Sequence, residues 1–393
     1  PKSRYYTNSR VHCYGYIIFD PDMASMIHNE MRKHGIKLVL GYTVEGFKEK
    51  DNGVEVLLKD NPSLQADMVV LAIGVTPDTV LAKEAGLELG IKESIVVNDR
   101  METSVPDIYA AGDAVQVKHY VTGNDALISL AGPANKQGRI IADNICGGDS
   151  RYLGSQGSSV IKVFDMTAAT TGINETNAKK SGLEVDTVIL SPMSHAGYYP
   201  GGKVMTMKVI FEKESYRLLG AQIIGYEGVD KRIDVLATAI HAGLNATQLK
   251  DLDLAYAPPY SSAKDPVNMA GFMIDNIAKG TLKQWHLEAM DKISKDKDVV
   301  LLDVRTVGEF SIGHIDGFKN IPVDELRERI SEIEKGKPVY LICQSGLRSY
   351  IASRILEGNG YETYNFSGGF RFYDAVVNDR ALIERAYACG MDY

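Results

Sequence analysis

The stretch Val339-Tyr340-Leu341-Ile342-Cys343-Gln344-Ser345-Gly346-Leu347-Arg348 decides how the C-terminal part of the chain folds. Its first four residues are apolar and β-rich, which predicts a buried strand, and residues 349–356 predict a helix. A strand that passes through a short loop into a helix directs backbone N–H groups and the positive end of the helix dipole at the Cys343 sulfur. Arg348 adds a fixed positive charge. The pattern therefore predicts that Cys343 is a thiolate nucleophile in an anion-holding loop.

A cysteine at the end of a buried strand is most often a small core residue. Here Gly346 inside the loop and Ser349 as a candidate N-cap favour the nucleophile instead. The loop resembles the active-site loop of rhodanese-type sulfurtransferases, and residues 301–305, 313–315, 320–322 and 367–370 match the same family in order and spacing. The resemblance implies that Cys343 and Arg348 are catalytic, within a persulfide loop that also contains Gln344, Ser345, Gly346, Leu347 and Ser349.

The length of this loop bears on its chemistry. Four residues separate Cys343 from Arg348, whereas the phosphatase relatives of the family have one residue more to hold a phosphate. A tighter ring suits the terminal sulfur of a persulfide better than a phosphoryl group. The sequence therefore favours sulfur transfer over phosphate hydrolysis.

The composition describes a globular protein of several domains. The chain has 393 residues, of which 45% are hydrophobic and 24% charged, so it is too long for one ordinary core. A net charge of −8 with no basic run argues against nucleic-acid binding. The four cysteines, at positions 13, 146, 343 and 389, are widely spaced and form no metal-ligand cluster. We expect a cytoplasmic protein with no metal site and no membrane-spanning segment.

Residues 20–98 predict alternating helices and strands. A helix is expected from Pro21, with Asp20 as its N-cap. Short apolar, β-rich runs predict strands at residues 36–40, 54–58 and 68–73. Alternation of this kind is typical of an α/β architecture with a largely parallel sheet.

Residues 103–115 form a distinctive block that contains Gly112 and Asp113. A strand that ends in Gly-Asp lets the backbone approach a ligand closely while the carboxylate accepts hydrogen bonds from hydroxyl groups. On the short motif alone an ordinary turn would be the better interpretation. The whole block, however, resembles the second flavin-contacting motif of the pyridine nucleotide-disulfide oxidoreductases. This resemblance implies that Asp113 binds the flavin ribityl chain and that a glycine-rich turn before a long helix borders the flavin ring, namely Ala131, Gly132 and Pro133.

Residues 157–280 alternate between strands and a helix, which predicts an α+β dimerisation domain. Proline and glycine make two tyrosine-bearing loops rigid, at residues 194–202 and 256–265. Most of the 21 tyrosines must be structural, but both loops resemble the substrate-site loops of coenzyme A-disulfide reductases. The resemblance implies a homodimer in which these loops reach the partner's flavin. Tyr199 and Tyr260 are then the candidate catalytic tyrosines, with the choice between Tyr198 and Tyr199 open, and His195 is interpreted as structural.

From about residue 20 onward the chain is identified as similar to flavin-dependent coenzyme A-disulfide reductases that carry a C-terminal rhodanese domain. Enzymes of that type begin with a Gly-x-Gly-x-x-Gly flavin loop and a redox cysteine, neither of which this sequence contains. Cys13 lies too close to the first predicted helix to replace that cysteine. We expect an N-terminal truncation rather than a natural loss, since Asp113 and the tyrosine loops are intact, and we expect this chain to bind flavin weakly or not at all.

The predicted fold class is a multidomain α/β and α+β protein. The expected function is FAD- and NAD(P)H-dependent reduction of coenzyme A disulfides or persulfides, fused to rhodanese-type sulfur transfer. Two alternatives stay open: a stand-alone sulfurtransferase on a dimer scaffold, and an NADH oxidase or peroxidase of the same flavoprotein group. The expected domains are a partial NAD(P)-binding domain (1–98, with 1–19 unmatched), the C-terminal part of an FAD-binding domain (99–156), the dimerisation domain (157–280), a linker (281–297) and a rhodanese-like domain (298–393).

Overall fold

The computed structural model describes residues 6–7 and 18–387, which fall into two compact units. One unit takes the described residues up to 41, residues 160–170 and those from 174 onward. The other takes residues 42–159 and 171–173. The predicted boundary between residues 98 and 99 lies inside this second unit, and the five-part domain division stays a prediction. Cys13 and Cys389 lie outside the described residues.

The first elements that the structure describes are β1 (Tyr6–Thr7), α1 (Pro21–Lys33) and β2 (Lys37–Leu38), and β1 pairs with β2 in parallel. Helix α1 starts at Pro21 as predicted, because proline suits a first turn whose N–H groups have no helical partner. Asp20 lies at the N-cap position, but its side chain makes no capping hydrogen bond to α1. Its carboxylate accepts instead from the backbone N–H groups of Glu175 and Thr176, at 3.1 and 2.9 Å. Asp20 thus caps the helix that begins at Glu175, and not α1 as predicted.

The second unit opens with a three-stranded antiparallel sheet in the order β3-β4-β5. The strand predicted at 54–58 is confirmed, but the prediction of a largely parallel sheet is wrong for this region. The connections at 51–52 and 59–60 are too short for parallel pairing, which needs a crossover of about a dozen residues or more. The strands are β3 (Val44–Lys50), β4 (Gly53–Leu58) and β5 (Asn61–Ala66).

The apolar run at 68–73 forms no strand, which corrects another prediction. Met68, Val70 and Ile73 are 76%, 76% and 86% exposed. A β-rich run becomes a strand only where the edge of another strand offers backbone partners. No strand in the described part of the chain pairs with it.

The rest of the second unit is built around a small sheet in the order β6-β7-β8. Met101, Val115 and Val117 form its buried core. The predicted long helix is confirmed, but it begins at Ala131, so the residues predicted as a glycine-rich turn before it form its first turn. The elements are α2 (Val80–Glu84), β6 (Ile95–Val96), β7 (Val115–Lys118), β8 (Asp125–Ala126) and α3 (Ala131–Ile145).

The predicted α+β region forms a five-stranded sheet in the order β11-β12-β13-β10-β9. β12 pairs antiparallel with β11 and with β13, and its side chains are buried from Met205 to Phe211. The strands are β9 (Ser159–Val163), β10 (Met166–Gly172), β11 (Val185–Leu190), β12 (Met205–Glu212) and β13 (Leu218–Gly225), and the helices are α4 (Glu175–Lys180), α5 (Val229–His241) and α6 (Pro266–Ala278).

The C-terminal sheet has the order β14-β18-β17-β15-β16, and every pair in it is parallel. Alternate residues of its central strands enter two separate cores, as Leu341 and Ile342 of β17 show. Helices therefore cover both faces, as a parallel sheet requires. The elements are β14 (Gln284–Trp285), α7 (Met290–Ile293), β15 (Val300–Asp303), α8 (Val307–Ile312), β16 (Lys319–Asn320), β17 (Val339–Ile342), α9 (Leu347–Glu357), β18 (Thr363–Phe366) and α10 (Gly369–Tyr387).

Residues 281–297, which the sequence assigns to a linker, pack as part of this sheet. Strand β14 pairs with β18, and Trp285 is buried with its ring edge-on to Tyr340 and Phe366. Met290 and Ile293 enter the same core. The polar residues of the segment suggested a spacer, but its few apolar residues decide its position.

Helix α10 also packs against α1. The Asn29 side chain donates to the Ala375 carbonyl at 2.9 Å, and Nδ1 of His28 lies 2.9 Å from the Asp379 carboxylate. Among the helices that the structure describes, none is both long and apolar enough to cross a bilayer.

Candidate active site

Cys343 lies directly after β17, at the carboxyl end of the parallel sheet, and residues 344–346 connect it to α9. Its thiol is buried, and Sγ accepts hydrogen bonds from the Gly346 N–H at 3.1 Å and from the Ser349 hydroxyl at 3.2 Å. Ligand sites of α/β sheets commonly form at this end, because the strands point backbone groups into the loops that follow. The sulfur is therefore surrounded by donors that stabilise negative charge.

The start of α9 differs from the prediction in one respect. The N-cap is Gly346, with φ of 100°, and α9 begins at Leu347. Glycine adopts this left-handed conformation without the steric cost that a Cβ brings. Ser349 is therefore inside the first turn rather than at the N-cap, and its hydroxyl points at Cys343. Sequence reasoning identified the residue but assigned the wrong hydrogen bond.

The first turn of α10 forms hydrogen bonds with the backbone of the Cys343 loop. The Phe370 N–H donates to the Cys343 carbonyl at 2.7 Å, and the Arg371 N–H donates to the Gln344 carbonyl at 3.2 Å. A Cβ on Gly369 would lie 2.7 Å from the Ser345 nitrogen, which leaves no room for a side chain. The glycine pair at 368–369 thus allows α10 to approach the loop closely.

Arg348, predicted as a fixed charge beside the thiol, is paired with a residue that the sequence prediction missed. Both Nη groups donate to the Glu309 carboxylate at 2.7 Å. Glu309 also accepts from the Thr306 N–H at 3.0 Å, as the acidic partner of a capping box at the start of α8. The hydrogen bonds from Arg348 hold the pKa of Glu309 at about 2. The Thr-x-x-Glu spacing predicts the capping box, but not its contact with α9.

A second guanidinium lies near the loop. Arg305 is buried, pairs with Asp303 at 2.7 Å, and covers the Phe370 ring with 3.8 Å between Cζ and the ring centroid. Its Nη1 reaches Gln344 Oε1 at 3.5 Å. Residues 301–305 resemble the rhodanese family, but no role was predicted for Asp303 or Arg305. In the structure Arg305 contacts the loop at Gln344, and Asp303 holds Arg305 in place.

The two tyrosine loops lie beside a cleft of about 450 Å³ in the α+β region. Tyr256 and Tyr260 line it, and the hydroxyls of Tyr198 and Tyr256 are 2.8 Å apart. This hydrogen bond raises the pKa of Tyr256. Tyr260 is 71% exposed, whereas the Tyr199 ring lies edge-on to His195 at 5.6 Å between centroids. The structure thus brings both loops together.

The residue that joins these loops, Arg232, was missed by sequence reasoning. Its side chain is buried, pairs with Asp265 at 2.9 Å and donates to the Ser261 hydroxyl at 3.1 Å. It also donates to the Ser194 and Tyr260 carbonyls at 2.9 and 3.3 Å. No local sequence signal distinguishes an arginine that faces the core of a helix from one that faces solvent.

The predicted flavin-contacting residues also lie together, within the second unit. The Gly112 N–H donates to Gln137 Oε1 of α3 at 2.7 Å, and Gly112 has φ of 82°. This contact places the exposed carboxylate of Asp113 on the turn packed against α3, which begins with Ala131, Gly132 and Pro133. A carboxylate that faces solvent near a helix start can accept hydrogen bonds from ligand hydroxyls. This acceptor therefore fits the hydroxyl groups of the polyol part of a flavin.

Three family profiles match the chain. They are the pyridine nucleotide-disulphide oxidoreductase profile at residues 10–138, the dimerisation domain of the same family at 158–266, and a rhodanese-like domain at 286–375.

Solved structures extend this similarity over most of the chain. The structure of reduced Bacillus anthracis CoADR-RHD is 44% identical, with a TM-score of 0.91, and the match covers 96% of this chain and 67% of that one. A NAD-dependent persulfide reductase from A. fulgidus is 39% identical, with a TM-score of 0.86 and coverage of 94% and 67%.

A curated relative is the coenzyme A disulfide reductase of Staphylococcus aureus, which is 33% identical over 256 residues, or 65% of this chain and 57% of the relative. The chain spans little more than half the length of the curated relatives that it matches.

Proposed function

The chain belongs to the pyridine nucleotide-disulphide oxidoreductase family, and we propose that it functions in the FAD- and NAD(P)H-dependent reduction of coenzyme A disulfides or persulfides. Within it, the rhodanese-like domain transfers sulfur through Cys343. The observation that carries the sulfur-transfer proposal is the Cys343 thiol at the N-terminus of α9, with two hydrogen-bond donors on Sγ. The relatives named as a coenzyme A disulfide reductase and a persulfide reductase support the reductase proposal.

The sulfur-transfer step needs a thiolate and a sulfane donor. The Cys343 thiolate attacks the terminal sulfur of a persulfide R–S–SH, so that a bond forms between Sγ and that sulfur while the S–S bond of the donor breaks. The electron pair of the broken bond leaves on R–S⁻, and the proton stays on the transferred sulfur as Cys343–S–SH. The Gly346 N–H and the Ser349 hydroxyl stabilise the charge on Sγ before attack.

FAD would supply the redox chemistry of the reductase. Asp113 would accept hydrogen bonds from its hydroxyl groups, and the first turn of α3, at Ala131, Gly132 and Pro133, would border its ring. The exposure of Asp113 and its place against α3 support this assignment. The sequence contains no Gly-x-Gly-x-x-Gly turn for the pyrophosphate, so we propose that this chain alone binds flavin weakly or not at all.

Tyr199 and Tyr260 are proposed to serve the disulfide substrate in a homodimer. The match of residues 158–266 to a dimerisation domain supports the assembly. The exposure of the Tyr260 side chain supports its role, since a buried phenol could not reach a partner's site. We propose a cytoplasmic location on the wide spacing of the cysteines alone.

Replacement of Cys343 tests the sulfur-transfer proposal directly. In the full chain, Cys343→Ser should abolish sulfur transfer from a persulfide to cyanide, measured as thiocyanate. Cys146→Ser is the matched control, because Cys146 is a free but exposed cysteine in the other unit. Full activity in the Cys343→Ser protein would disprove the assignment. The flavin content of the same preparations tests the reductase proposal and separates it from a stand-alone sulfurtransferase.

An NADH oxidase is the second candidate function. The relative of that name from Methanocaldococcus jannaschii is 36% identical over 251 residues. Its similarity covers 64% of the chain, but an oxidase or peroxidase activity leaves the Cys343 loop without a role. Measurement of NADH-dependent oxygen consumption beside NADH-dependent reduction of coenzyme A disulfide distinguishes the two activities.

A further inference from the structure

The Arg348 guanidinium, beside the Cys343 loop, is neutralised by Glu309. Two parallel hydrogen bonds of 2.7 Å join them, which is the strongest geometry an arginine and a carboxylate can adopt. Thr306 donates to Oε2 of the same carboxylate through its N–H at 3.0 Å and its hydroxyl at 2.9 Å. Because Arg348 keeps the pKa of Glu309 at about 2, this carboxylate stays negative at any working pH.

The second guanidinium at the loop is neutralised as well. Arg305 donates to both Asp303 oxygens from Nε, at 3.0 and 2.9 Å, and both residues are buried. Arg371, which binds the loop through its backbone N–H, has an exposed side chain whose charge solvent and salt screen. The fixed charges closest to the loop are thus paired rather than available to an anionic substrate.

Three exposed side chains on the helices beside the loop are apolar. Leu347 at the start of α9 is 65% exposed, and Val307 at the start of α8 is 62% exposed. The pair between Glu309 and Arg348 joins the first turns of these two helices, so both apolar side chains belong to the same region. Ile312, at the end of α8, is 90% exposed. Such a surface suits an organic donor better than a hydrated inorganic ion.

From these contacts we infer that Glu309 is a specificity-determining residue that makes the Cys343 site prefer an organic persulfide, whose sulfur carries at most one negative charge, to a dianionic donor such as thiosulfate. The inference rests on the proposed sulfur transfer by Cys343 and names the substrate class of that site. Glu309 acts through Arg348 and touches no reacting atom, so it is a positioning residue.

The charge balance of the two reactions explains the preference. With a persulfide in its thiol form, Cys343–S⁻ and R–S–SH give Cys343–S–SH and R–S⁻, so one negative charge is present throughout, and the ionised form R–S–S⁻ adds only one more. With thiosulfate, Cys343–S⁻ and S–SO₃²⁻ give Cys343–S–S⁻ and SO₃²⁻, so three negative charges must meet at the loop. A free guanidinium would offset that repulsion, whereas one already paired with a carboxylate offsets little of it.

The experiment compares donors in the full chain. Thiocyanate formation is measured with thiosulfate and with freshly prepared hydroxyethyl persulfide, and the Cys343→Ser protein supplies the uncatalysed background. Glu309→Gln removes the negative charge but keeps a side chain that can complete the capping box. Glu332→Gln is the matched control, because Glu332 is also paired with an arginine, Arg329, and also has a pKa lowered to about 2, but does not contact the loop.

The wild-type protein should use the persulfide with the higher kcat/KM. Glu309→Gln should raise the thiosulfate-to-persulfide ratio of kcat/KM about tenfold, mainly through a lower KM for thiosulfate, since unpairing one charge near a protein surface changes such interactions by about this much. This gain should shrink as salt is added, and Glu332→Gln should leave the ratio at its wild-type value.

Other results overturn the inference. A wild-type protein that prefers thiosulfate contradicts it, and so does a Glu309→Gln protein with the wild-type ratio. If Glu309→Gln does not fold, the donor ratio of the wild-type protein decides the question. Absence of transfer from either donor above the Cys343→Ser background would instead refute the proposed sulfur transfer, so the two failures are distinguishable.

Discussion

The hydroxyl of Ser349 lies 3.2 Å from Sγ of Cys343 and 3.1 Å from the carbonyl oxygen of Gly346. A serine has one hydrogen to donate, so only one of these acceptors is served at a time. A thiolate attracts that hydrogen more strongly than a neutral carbonyl does. Ser349 can therefore turn toward the sulfur when Cys343 becomes charged, and it can turn back when the charge leaves.

Replacement of Ser349 by alanine should weaken the nucleophile. Hydrogen bonds to charged groups contribute about 1.5–3 kcal/mol, so we expect the alkylation of Cys343 near neutral pH to slow about tenfold, with a similar loss in sulfur transfer. Ser353→Ala is the control, because Ser353 is equally buried on α9 but donates to the Tyr350 carbonyl. Equal alkylation rates in the two variants would show that Ser349 does not act on the sulfur.

The pair between Glu309 and Arg348 should make stability depend on acid pH. Hydrogen bonds from Arg348 lower the pKa of Glu309 from 4.5 to about 2. A lowered folded-state pKa stabilises the fold above the unfolded value and loses that contribution as pH falls through the folded value. The urea midpoint of the wild-type protein should thus exceed that of Glu309→Gln above about pH 4.5, and the difference should disappear toward pH 2. A difference that grows with acid would contradict this linkage.

Arg232→Ala should destabilise the α+β region strongly. Arg232 and Asp265 are both buried, and removal of one partner leaves an unpaired charge, which costs about 3–5 kcal/mol. Urea unfolding followed by circular dichroism measures the loss. Arg217→Ala is the control, since Arg217 is exposed and lies 3.8 Å from Glu212, and an exposed pair contributes about 0–1 kcal/mol. Equal losses in the two variants would mean that Arg232 does not hold the tyrosine loops.

Lys208→Met should lower the free energy of unfolding, because it leaves a cluster of three carboxylates without its cation. Nζ of Lys208 lies 2.6, 2.8 and 3.2 Å from the carboxylates of Glu175, Asp22 and Asp20. Burial alone would lower the pKa of Lys208, but these carboxylates raise it above its usual value.

Without this cation the variant should lose about 3–5 kcal/mol near neutral pH. It should recover part of that loss toward about pH 4, where the carboxylates take up protons. Urea midpoints at both pH values test this expectation. Lys213→Met, which removes an exposed lysine 3.9 Å from Glu184, should show neither effect, and a loss independent of pH would refute the charge explanation.

Local patterns predicted the framework of the C-terminal site well. The strand before Cys343 and the helix after it follow from an apolar run and a glycine at the turn, since both depend on neighbours in sequence. The antiparallel course of residues 44–66 was not predicted, because only one of its three strands, at residues 54–58, was identified from the sequence. The strand expected at 68–73 was wrong because a strand needs a paired edge, and an apolar run does not specify where that edge lies.

The sequence by itself determined that Cys343 follows a buried strand and precedes a helix, that Gly112 and Asp113 precede a glycine-rich helix start, and that two rigid loops carry tyrosines. Only the tertiary structure decided that Arg348 is paired with Glu309 and that Arg232 joins the tyrosine loops. The physical reason is distance along the chain. Helix capping and strand formation depend on residues a few positions apart, whereas the partner of a charge is set by how elements tens of residues apart pack together.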